Sequence, residues 1–517
     1  MRLDNLFLTY DDVYNSIMGL KSINTAGPDD IPPVFLKSCA FSLTFPLTSL
    51  FNMSLQTGCF PDVWKKSFVI PLHKSGDASD VKNYRPISKL STIAQIFDSL
   101  VHSKLTSFFS PYIGAEQHGF AKGKSTNTNL ISFTEKVAES FSNRSQVDTI
   151  YTDFAKAFDR VSFEALIYKL RCSGIGGVLL QWMQSYLMGR LQVVSLGNTY
   201  SREFSVLSGV PQGSHLGPLF FSLFLNDLRS YINPRIQFLL FADDCKLFME
   251  IFTIEDCLCL QSGLDDFVKY CELFCLRVNL EKCAVISFSR LVNGRIDFDY
   301  AIHNTTLYRV LEVKDLGVML DSRLCFKTHL SYIGNKAMKM LGYVIRTCRD
   351  FSNLAAIKAV YSAYVRSHLE YCCQVWNTAT ATDRLSLERV QRKFTRFLFG
   401  KGLLNVPEIS EFHYRPVLDA LRLQSLECRR DKFDVKLLLQ VLYFGLGNLS
   451  LDRYFRPRDS VRSFRSHRAY TTLINCPSTL NQCVRFFNEI SFDWGIVSTH
   501  SYSAAMRVAL EKIPLYR

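Results

Sequence analysis

The sequence predicts an α+β core followed by a mostly helical, basic C-terminal region. Between residues 67 and 320, short β-like runs alternate with segments of helical periodicity, as in a sheet covered by helices. From about residue 327 onward the periodicity is mostly helical. The balance of basic and acidic residues also differs between these two parts of the chain. Residues 321–517 hold 30 Lys and Arg against 16 Asp and Glu, whereas residues 1–320 hold 30 against 31.

Size and composition exclude several classes of protein. The 517 residues correspond to about three structural units. A chain that is 48% apolar and 21% charged can form sizeable cores, which excludes wholesale disorder. The N-terminus has no signal-peptide pattern, the longest apolar runs fall short of the roughly 18 residues of a membrane span, and 16 cysteines are too few for a disulfide scaffold. We therefore expect an intracellular protein, in the nucleus, the cytoplasm or both, with no membrane partner.

The elements follow from local patterns, taken in chain order. Apolar residues at helical spacing predict a helix through Val13, Ile17, Leu20 and Ile23, and the segment 26–33 breaks it with a loop. A β-like run and a turn then precede a helix expected from about Ser91 to Ser107. The predicted strands are Ser67–Leu72, Gln146–Thr152 and the two halves of Gln237–Phe248.

Two adjacent aspartates, Asp243 and Asp244, divide the run 237–248 into two apolar halves. This pattern is typical of a hairpin with both acids at its tip. Apolar flanks and mutual repulsion disfavour two carboxylates there unless a cation lies between them. The alternative interpretation is an ordinary Asp-Asp turn.

A third aspartate, Asp153, ends another predicted strand. A carboxylate that converges on a carboxylate pair is what a two-metal phosphoryl-transfer site needs, and Mg²⁺ prefers carboxylates together with substrate phosphates. Between the acidic segments lie Gln212, which offers an amide, and Gly213, which allows a close approach of the backbone to a ligand. The apolar run Leu219–Leu225 would pack as a helix behind this site.

Short signatures around these residues occur in a fixed order. The three central ones are Asp153-x-x-x-Ala157-Phe158-Asp159-x-Val161, Ser208-Gly-Val-Pro-Gln-Gly213 and Phe241-Ala-Asp-Asp244. Five flanking signatures precede them: Gly27-Pro-Asp-Asp-Ile-Pro32, Trp64-Lys-Lys-x-x-Val-Ile-Pro71, Asn83-Tyr-Arg-Pro-Ile-Ser88, Gln117-His-Gly-Phe120 and Lys124-Ser-Thr126. Two more follow, Asn279-Leu-Glu-Lys282-Cys and Lys314-Asp-Leu-Gly-Val-Met319. Over about residues 10–400, this set resembles motifs A to E and flanking segments of reverse transcriptases from non-LTR retrotransposons, the jockey-like LINE elements of animals.

The resemblance implies a right-hand polymerase with fingers, a palm of antiparallel strands backed by helices, and a helical thumb. It implies that Asp153, Asp243 and Asp244 bind two Mg²⁺ ions, which Mn²⁺ can replace. Phe158 would select deoxynucleotides, and Lys282 would be an acid for the pyrophosphate leaving group. The remaining implied nucleotide contacts are Lys74, Arg85, Gln212 and Gly213. Arg85 and Lys282 also have a simpler interpretation as solvated surface charges.

The implied reaction is RNA-templated DNA synthesis from dNTPs on a DNA primer, or on target DNA nicked by another protein or by a lost domain. The 152 residues before Asp153 leave no room for an endonuclease domain, and no zinc-knuckle spacing follows, so we expect neither in this chain. Alternatives are a catalytically inactive RNA-binding relic of a mobile element, a group II intron maturase, or a viral RNA polymerase. The last usually shows Gly-Asp-Asp where this chain has Ala-Asp-Asp.

The basic C-terminal region contains two clusters. A helix is expected over residues 383–400, with Val390, Phe394 and Leu398 on an apolar face. The opposite, basic face carries Arg389, Arg392, Lys393 and Arg396. A second cluster interleaves aromatic residues with Arg462, Arg465 and Arg468, a composition suited to phosphate contact and base stacking. Each cluster alone is equally consistent with a solvated face.

These inferences give a division into four parts. Residues 1–60 form an N-terminal extension, 54–320 the fingers and palm, 321–400 a thumb-like helical region, and 401–517 a basic C-terminal region.

Overall fold

The computed structural model describes residues 2–291, 293–378, 380–404, 411–444, 455–457, 470–472, 478–480, 482–483 and 501–513. Three helices open the chain: α1 (Tyr10–Met18), α2 (Pro33–Ser38) and α3 (Ala40–Thr57). A capping box between Thr9 and Asp12 begins α1, which buries Val13 and Ile17. The predicted continuation through Leu20 and Ile23 is wrong. Helix α1 ends before Gly19, a residue of poor helix propensity.

The middle of the chain alternates strands and helices, as predicted. Its elements are β1 (Lys66–His73), β2 (Tyr84–Lys89), α4 (Thr92–Phe109), α5 (Thr126–Ser142), β3 (Gln146–Asp153), α6 (Ala157–Arg160), α7 (Phe163–Cys172), α8 (Gly177–Leu187), β4 (Leu191–Leu196), β5 (Thr199–Tyr200), β6 (Phe204–Ser205), α9 (Leu216–Phe224), β7 (Gln237–Phe241), β8 (Asp244–Ile251), α10 (Ile254–Leu273), β9 (Ala284–Phe288), β10 (Ala301–Ile302), β11 (Thr305–Thr306), β12 (Tyr308–Arg309), β13 (Glu312–Asp315) and β14 (Val318–Asp321).

Two sheets organise this part. The central sheet has the strand order β12-β9-β3-β8-β7, with β3 antiparallel to both β8 and β9. In the second sheet, β1 is antiparallel to β2 and parallel to β4. Alternation along a strand sends successive side chains to opposite faces of a sheet. On β3, Ile150 accordingly joins the core formed with the N-terminal helices and α7–α10, whereas Val147 joins a second core with α5 and the C-terminal helices.

The C-terminal part is mostly helical within its described residues. Its elements are α11 (Lys327–Thr347), α12 (Leu354–Tyr361), a π turn (Ser362–Arg366), α13 (Ser367–Glu370), α14 (Cys373–Trp376), α15 (Ala381–Gly400), α16 (Tyr414–Ala420), α17 (Leu426–Phe444), β15 (Phe455–Pro457), β16 (Tyr470–Thr472) and α18 (Tyr502–Glu511). Helix α15 packs against α11, α16 and α17. Within the described ranges, no helix combines the length and apolarity needed to cross a membrane.

The observed elements agree with a right-hand polymerase: a palm sheet with helices behind it, a second five-stranded sheet, and a helical region after them. The boundaries at residues 60, 320 and 400 stay predictions.

Candidate active site

The β7–β8 hairpin and β3 bring the three aspartates together. Asp153 is the last residue of β3 and lies opposite Asp244, the first residue of β8. Asp243 occupies the two-residue turn between Phe241 and Asp244, and the preceding Ala242 adopts a left-handed φ of 56°. The sequence therefore predicted both the hairpin and the strand end correctly.

The loop before α5 forms a hydrogen bond with the turn that contains Asp243. The side-chain oxygen of Gln117 accepts hydrogen bonds from the backbone N–H groups of Gly119 at 2.8 Å and Ala242 at 3.2 Å. A Cβ atom at Gly119 would lie 2.3 Å from the nitrogen of Ala242, so only glycine fits there. The ammonium of Lys124 stabilises the loop by donating hydrogen bonds to three of its backbone carbonyls. The motif 117–120 thus positions the acidic turn, a role that its sequence did not reveal.

A cavity of about 1,020 Å³ opens between the two sheets in front of these residues. It contains seven of the residues predicted for catalysis or nucleotide binding, which are Asp153, Asp243, Lys74, Arg85, Phe158, Gln212 and Lys282. Asp244 and Gly213 are not part of its lining. Sequence reasoning missed two further cations of this wall, Lys82 and Lys156. Lys156 has a left-handed φ of 55°, and backbone strain of this kind is common at functional sites.

The pKa values of Asp243 and Asp244 are raised in the folded protein. Removal from water raises the pKa of Asp243, with a further rise from the charge of Asp153; the cations Lys74 and Arg85 act in the opposite direction. Asp244 is exposed at the surface, yet the surrounding protein excludes enough water to raise its pKa to about 6, and the charge of Asp243 adds to this. The site therefore concentrates negative charge that a cation would neutralise.

Asp153 already has a cationic partner, since the ammonium of Lys282 donates to its Oδ2 atom at 2.5 Å. Across the described ranges, no group of three or more His, Cys, Asp and Glu side chains is arranged to hold a metal ion. Asp153 and Asp243 nevertheless share one cavity wall, and two carboxylates are a donor set that suits Mg²⁺. The residues present thus fit a cation held by this pair, while the role of Asp244 as a third ligand stays a prediction.

Phe158 lies at the floor of the cavity. Its ring stacks on Phe221 of α9 at 4.6 Å between centroids and meets the edge of Phe120 at 6.4 Å. Helix α9 covers the apolar run predicted to pack behind the site. The packing holds Phe158 in place while leaving it partly open to the cavity.

Hydrogen bonds join the segment 208–213 to the segment that follows Asp153. The N–H groups of Gly209 and Val210 donate to the carbonyls of Val161 and Phe158, each at 2.8 Å. The side chain of Gln212 donates to Asp159 at 2.7 Å. Gly213 has a φ of 119°, and a Cβ atom there would lie 2.5 Å from the carbonyl oxygen of Ser88 on β2. Gly213 therefore permits a close approach of the backbone of β2, and its contact with a nucleotide stays a prediction.

The basic face of α15 forms as predicted. Arg389, Arg392, Lys393 and Arg396 are all exposed, opposite the buried Val390, Phe394 and Leu398. Two of these cations lie over aromatic rings at 4.9 Å, Arg392 over Tyr414 and Arg396 over Phe412. None of the four lines the cavity. Arg462, Arg465 and Arg468 lie outside the described residues.

Comparison with known proteins decides the family. The family model "Reverse transcriptase (RNA-dependent DNA polymerase)" matches residues 72–345, which contain the central sheet and the acidic hairpin. The chain belongs to the reverse transcriptase family. Its match includes every residue that we predicted for catalysis, metal binding or nucleotide binding.

Three relatives that this reverse transcriptase resembles come from transposable or mobile elements. The probable RNA-directed DNA polymerase from transposon BS of Drosophila melanogaster is 27% identical over 75% of this chain and 44% of its own length. The RNA-directed DNA polymerase from mobile element jockey of the same species is 27% identical over 76% of this chain and 44% of its own. The retrovirus-related Pol polyprotein of type-1 retrotransposable element R1 from Bradysia coprophila is 26% identical over 71% and 37%.

The reverse transcriptase thus spans less than half the length of these relatives. A solved structure of apo telomerase from Candida tropicalis, truncated from the C-terminal domain, is 12% identical, with a TM-score of 0.36 over 54% of this chain and 59% of that one. The family uses divalent metals and acts on a nucleic-acid template, a primer and dNTPs.

Proposed function

We propose that the chain is an RNA-directed DNA polymerase of a non-LTR retrotransposon that extends a primer 3′ end with dNTPs. The observation that carries this proposal is the shared cavity. Its lining includes Asp153 and Asp243, the cations Lys74 and Arg85, which act on the pKa of Asp243, and the ring of Phe158. An acidic pair and a cationic pair facing one space suit a divalent cation and a triphosphate, respectively.

Each side chain has a separate task in this proposal. Asp153 and Asp243, with Asp244 contributing, would hold two Mg²⁺ ions, which Mn²⁺ could replace. Bound ions would supply charge neutralisation at the α-phosphate and activation of the primer hydroxyl. Lys74 and Arg85 bind the triphosphate and offset charge on its oxygens. Lys156 adds a third cation beside Asp153.

Lys282 holds the proton that the leaving pyrophosphate needs. Its ammonium is bonded to Asp153 in this structure and is half exposed, so it can turn from the carboxylate to a phosphate in the same cavity. Phe158 occupies the cavity floor, where a bulky ring excludes a ribose 2′-hydroxyl. Gln212 and Gly213 hold the wall that the nucleotide contacts.

The partners that we propose are an RNA template and a DNA primer or nicked target DNA, with the basic face of α15 as one contact. Priming from a chromosomal nick and location in the nucleus or cytoplasm remain parts of this proposal. The experiment is primer extension on poly(rA) with an oligo(dT) primer and dTTP. Mg²⁺-dependent extension supports the proposal, and RNA binding without extension would support the inactive relic instead.

A further inference from the structure

A buried network lies directly behind the catalytic strand ends. Tyr151 on β3 and Lys246 on β8 are opposite each other in the strand register. Both donate to the same carboxylate oxygen of Asp315 on β13, Tyr151 at 3.0 Å and Lys246 at 2.5 Å. Tyr151, Lys246 and Asp315 are not among the residues that we predicted to bind nucleotide or metal.

The network shares a sheet face with the catalytic carboxylates. Side chains two residues apart on a strand point to the same face, so Tyr151 lies on the face of Asp153, and Lys246 on that of Asp244. A displacement of Asp315 would therefore act on both strands next to their acidic residues.

Burial makes the network rigid. The side chains of Lys246 and Asp315 are 4% and 7% exposed, and the ammonium of Lys246 also lies 4.7 Å from the ring centre of Phe133. Removing one member of a buried ion pair leaves an uncompensated charge in a low-dielectric environment. The pair is thus strongly favoured in one arrangement, which fixes β13 against the palm sheet.

The turn of the same hairpin, next to Asp315, is bound to the helical region. The turn between β13 and β14 has Leu316 and Gly317 at left-handed φ values of 43° and 91°. The hydroxyl of Tyr371 donates to the carbonyl of Leu316 at 2.8 Å. The N–H of Met319 on β14 donates to His329 of α11 at 3.2 Å. The β13–β14 hairpin consequently bridges the palm and the helices after it.

We propose that Asp315 is a positioning residue, which through Lys246 and Tyr151 sets the catalytic strand ends relative to the helical region. The inference rests on the proposed function. A purely structural role would lower stability equally but leave nucleotide addition by the folded protein unchanged. Replacing Tyr151 with Phe removes one hydrogen bond to Asp315 without changing any charge, so this variant distinguishes the positioning role from the structural one.

The experiment is single-turnover addition of one dNTP to a primer, with the melting temperature measured for each variant. The variants are Tyr151→Phe and Asp315→Asn. The matched control is Tyr300→Phe, because the Tyr300 hydroxyl donates to another buried carboxylate of β3, Asp148, at 2.8 Å. It removes a similar bond from the same sheet at a residue outside the cavity lining.

We expect the rate constant at saturating dNTP to fall about threefold for Tyr151→Phe and about tenfold for Asp315→Asn, since small misplacements of reacting groups are costly. The dNTP KM should change little because Lys74 and Arg85 are untouched. Tyr300→Phe should lower the melting temperature without slowing addition. If Asp315→Asn does not fold, the Tyr151→Phe comparison still decides.

Two results would count against the inference. If Tyr151→Phe and Tyr300→Phe both add nucleotide as fast as the wild type, the network has a structural role. That result would overturn this inference and leave the proposed function standing. A wild-type protein that adds no nucleotide would overturn the proposed function, and this inference with it.

Discussion

The side-chain amide of Gln212 donates a hydrogen bond to the carboxylate of Asp159 at 2.7 Å. This contact joins the segment after β3 to the segment before α9, which are more than fifty residues apart in sequence. Burial raises the pKa of Asp159, and the hydrogen bond from Gln212 acts in the opposite direction. The contact keeps one wall of the cavity in place beside Phe158.

Replacing Gln212 with Leu should weaken dNTP binding. A hydrogen bond to a charged group contributes about 1.5–3 kcal/mol, so we expect the dNTP KM to rise roughly tenfold or more. Gln261→Leu is a control, because Gln261 on α10 also donates to an aspartate, Asp265, at 2.8 Å, in addition to its two hydrogen bonds with the backbone of Ala301. Steady-state extension at varied dNTP concentration measures the effect. Equal KM values for both variants would exclude Gln212 from the nucleotide wall.

Replacing Phe158 with Val should relax the choice of sugar. The smaller side chain opens the cavity floor, and we expect the ratio of ribo- to deoxynucleotide use to rise at least about tenfold, a difference of about 1.4 kcal/mol. Phe221→Val removes the same ring stacking from behind and controls for lost packing. The measurement is competition between UTP and dTTP. An unchanged ratio in Phe158→Val, or the same rise in both variants, would contradict the sugar-selection role.

The basic face of α15 should contribute to template binding through phosphate contacts. Changing Arg389, Arg392, Lys393 and Arg396 to Gln removes charge while keeping helix propensity. If all four contact phosphates, the slope of log K against log salt should become shallower by about two to three units. A control removes the exposed charges of Arg171 and Lys269 from palm helices. Salt slopes that match the wild type would show that this face is only solvated.

Asp434 should make the helical region less stable as pH rises. It is buried in α17, where burial raises its pKa to about 8 despite a hydrogen bond from Asn377 at 2.7 Å. A pKa raised in the folded state favours the protonated form. The resulting stabilisation is fully present below the unfolded pKa of about 4 and is lost progressively as pH rises to about 8. The slope is at most about 1.4 kcal/mol per pH unit.

Denaturant midpoints between pH 5 and 8.5 test this expectation. Asp434→Asn keeps the side-chain shape and should flatten the pH dependence, mainly by raising relative stability at high pH. Asp297→Asn, at an exposed carboxylate, is the control. A variant that retains the full pH dependence of the wild type would show that Asp434 does not titrate in this range.

Much of the fold and the acidic site followed from local pattern. The hairpin around Asp243, the strand ending at Asp153 and the helix α15 each have a strong period and clear end signals. Contacts made over long sequence distances had no such signal. Gln117 reaches Ala242 and Asp315 reaches Lys246 only because the strands pair as they do. The contact of Gly213 with Ser88 on β2 had no sequence signal for the same reason.

The central claim is that Asp153 and Asp243 are the catalytic metal ligands, and single-nucleotide primer extension by Asp243→Asn tests it most directly. The substitution preserves shape and removes the charge that a divalent cation needs. We predict a loss of rate of about a thousandfold or more, equivalent to about 4 kcal/mol in the barrier, with primer–template affinity close to that of the wild type. Asp265→Asn, at an exposed position of α10, should extend normally. Extension by Asp243→Asn within tenfold of the wild type would contradict the assignment.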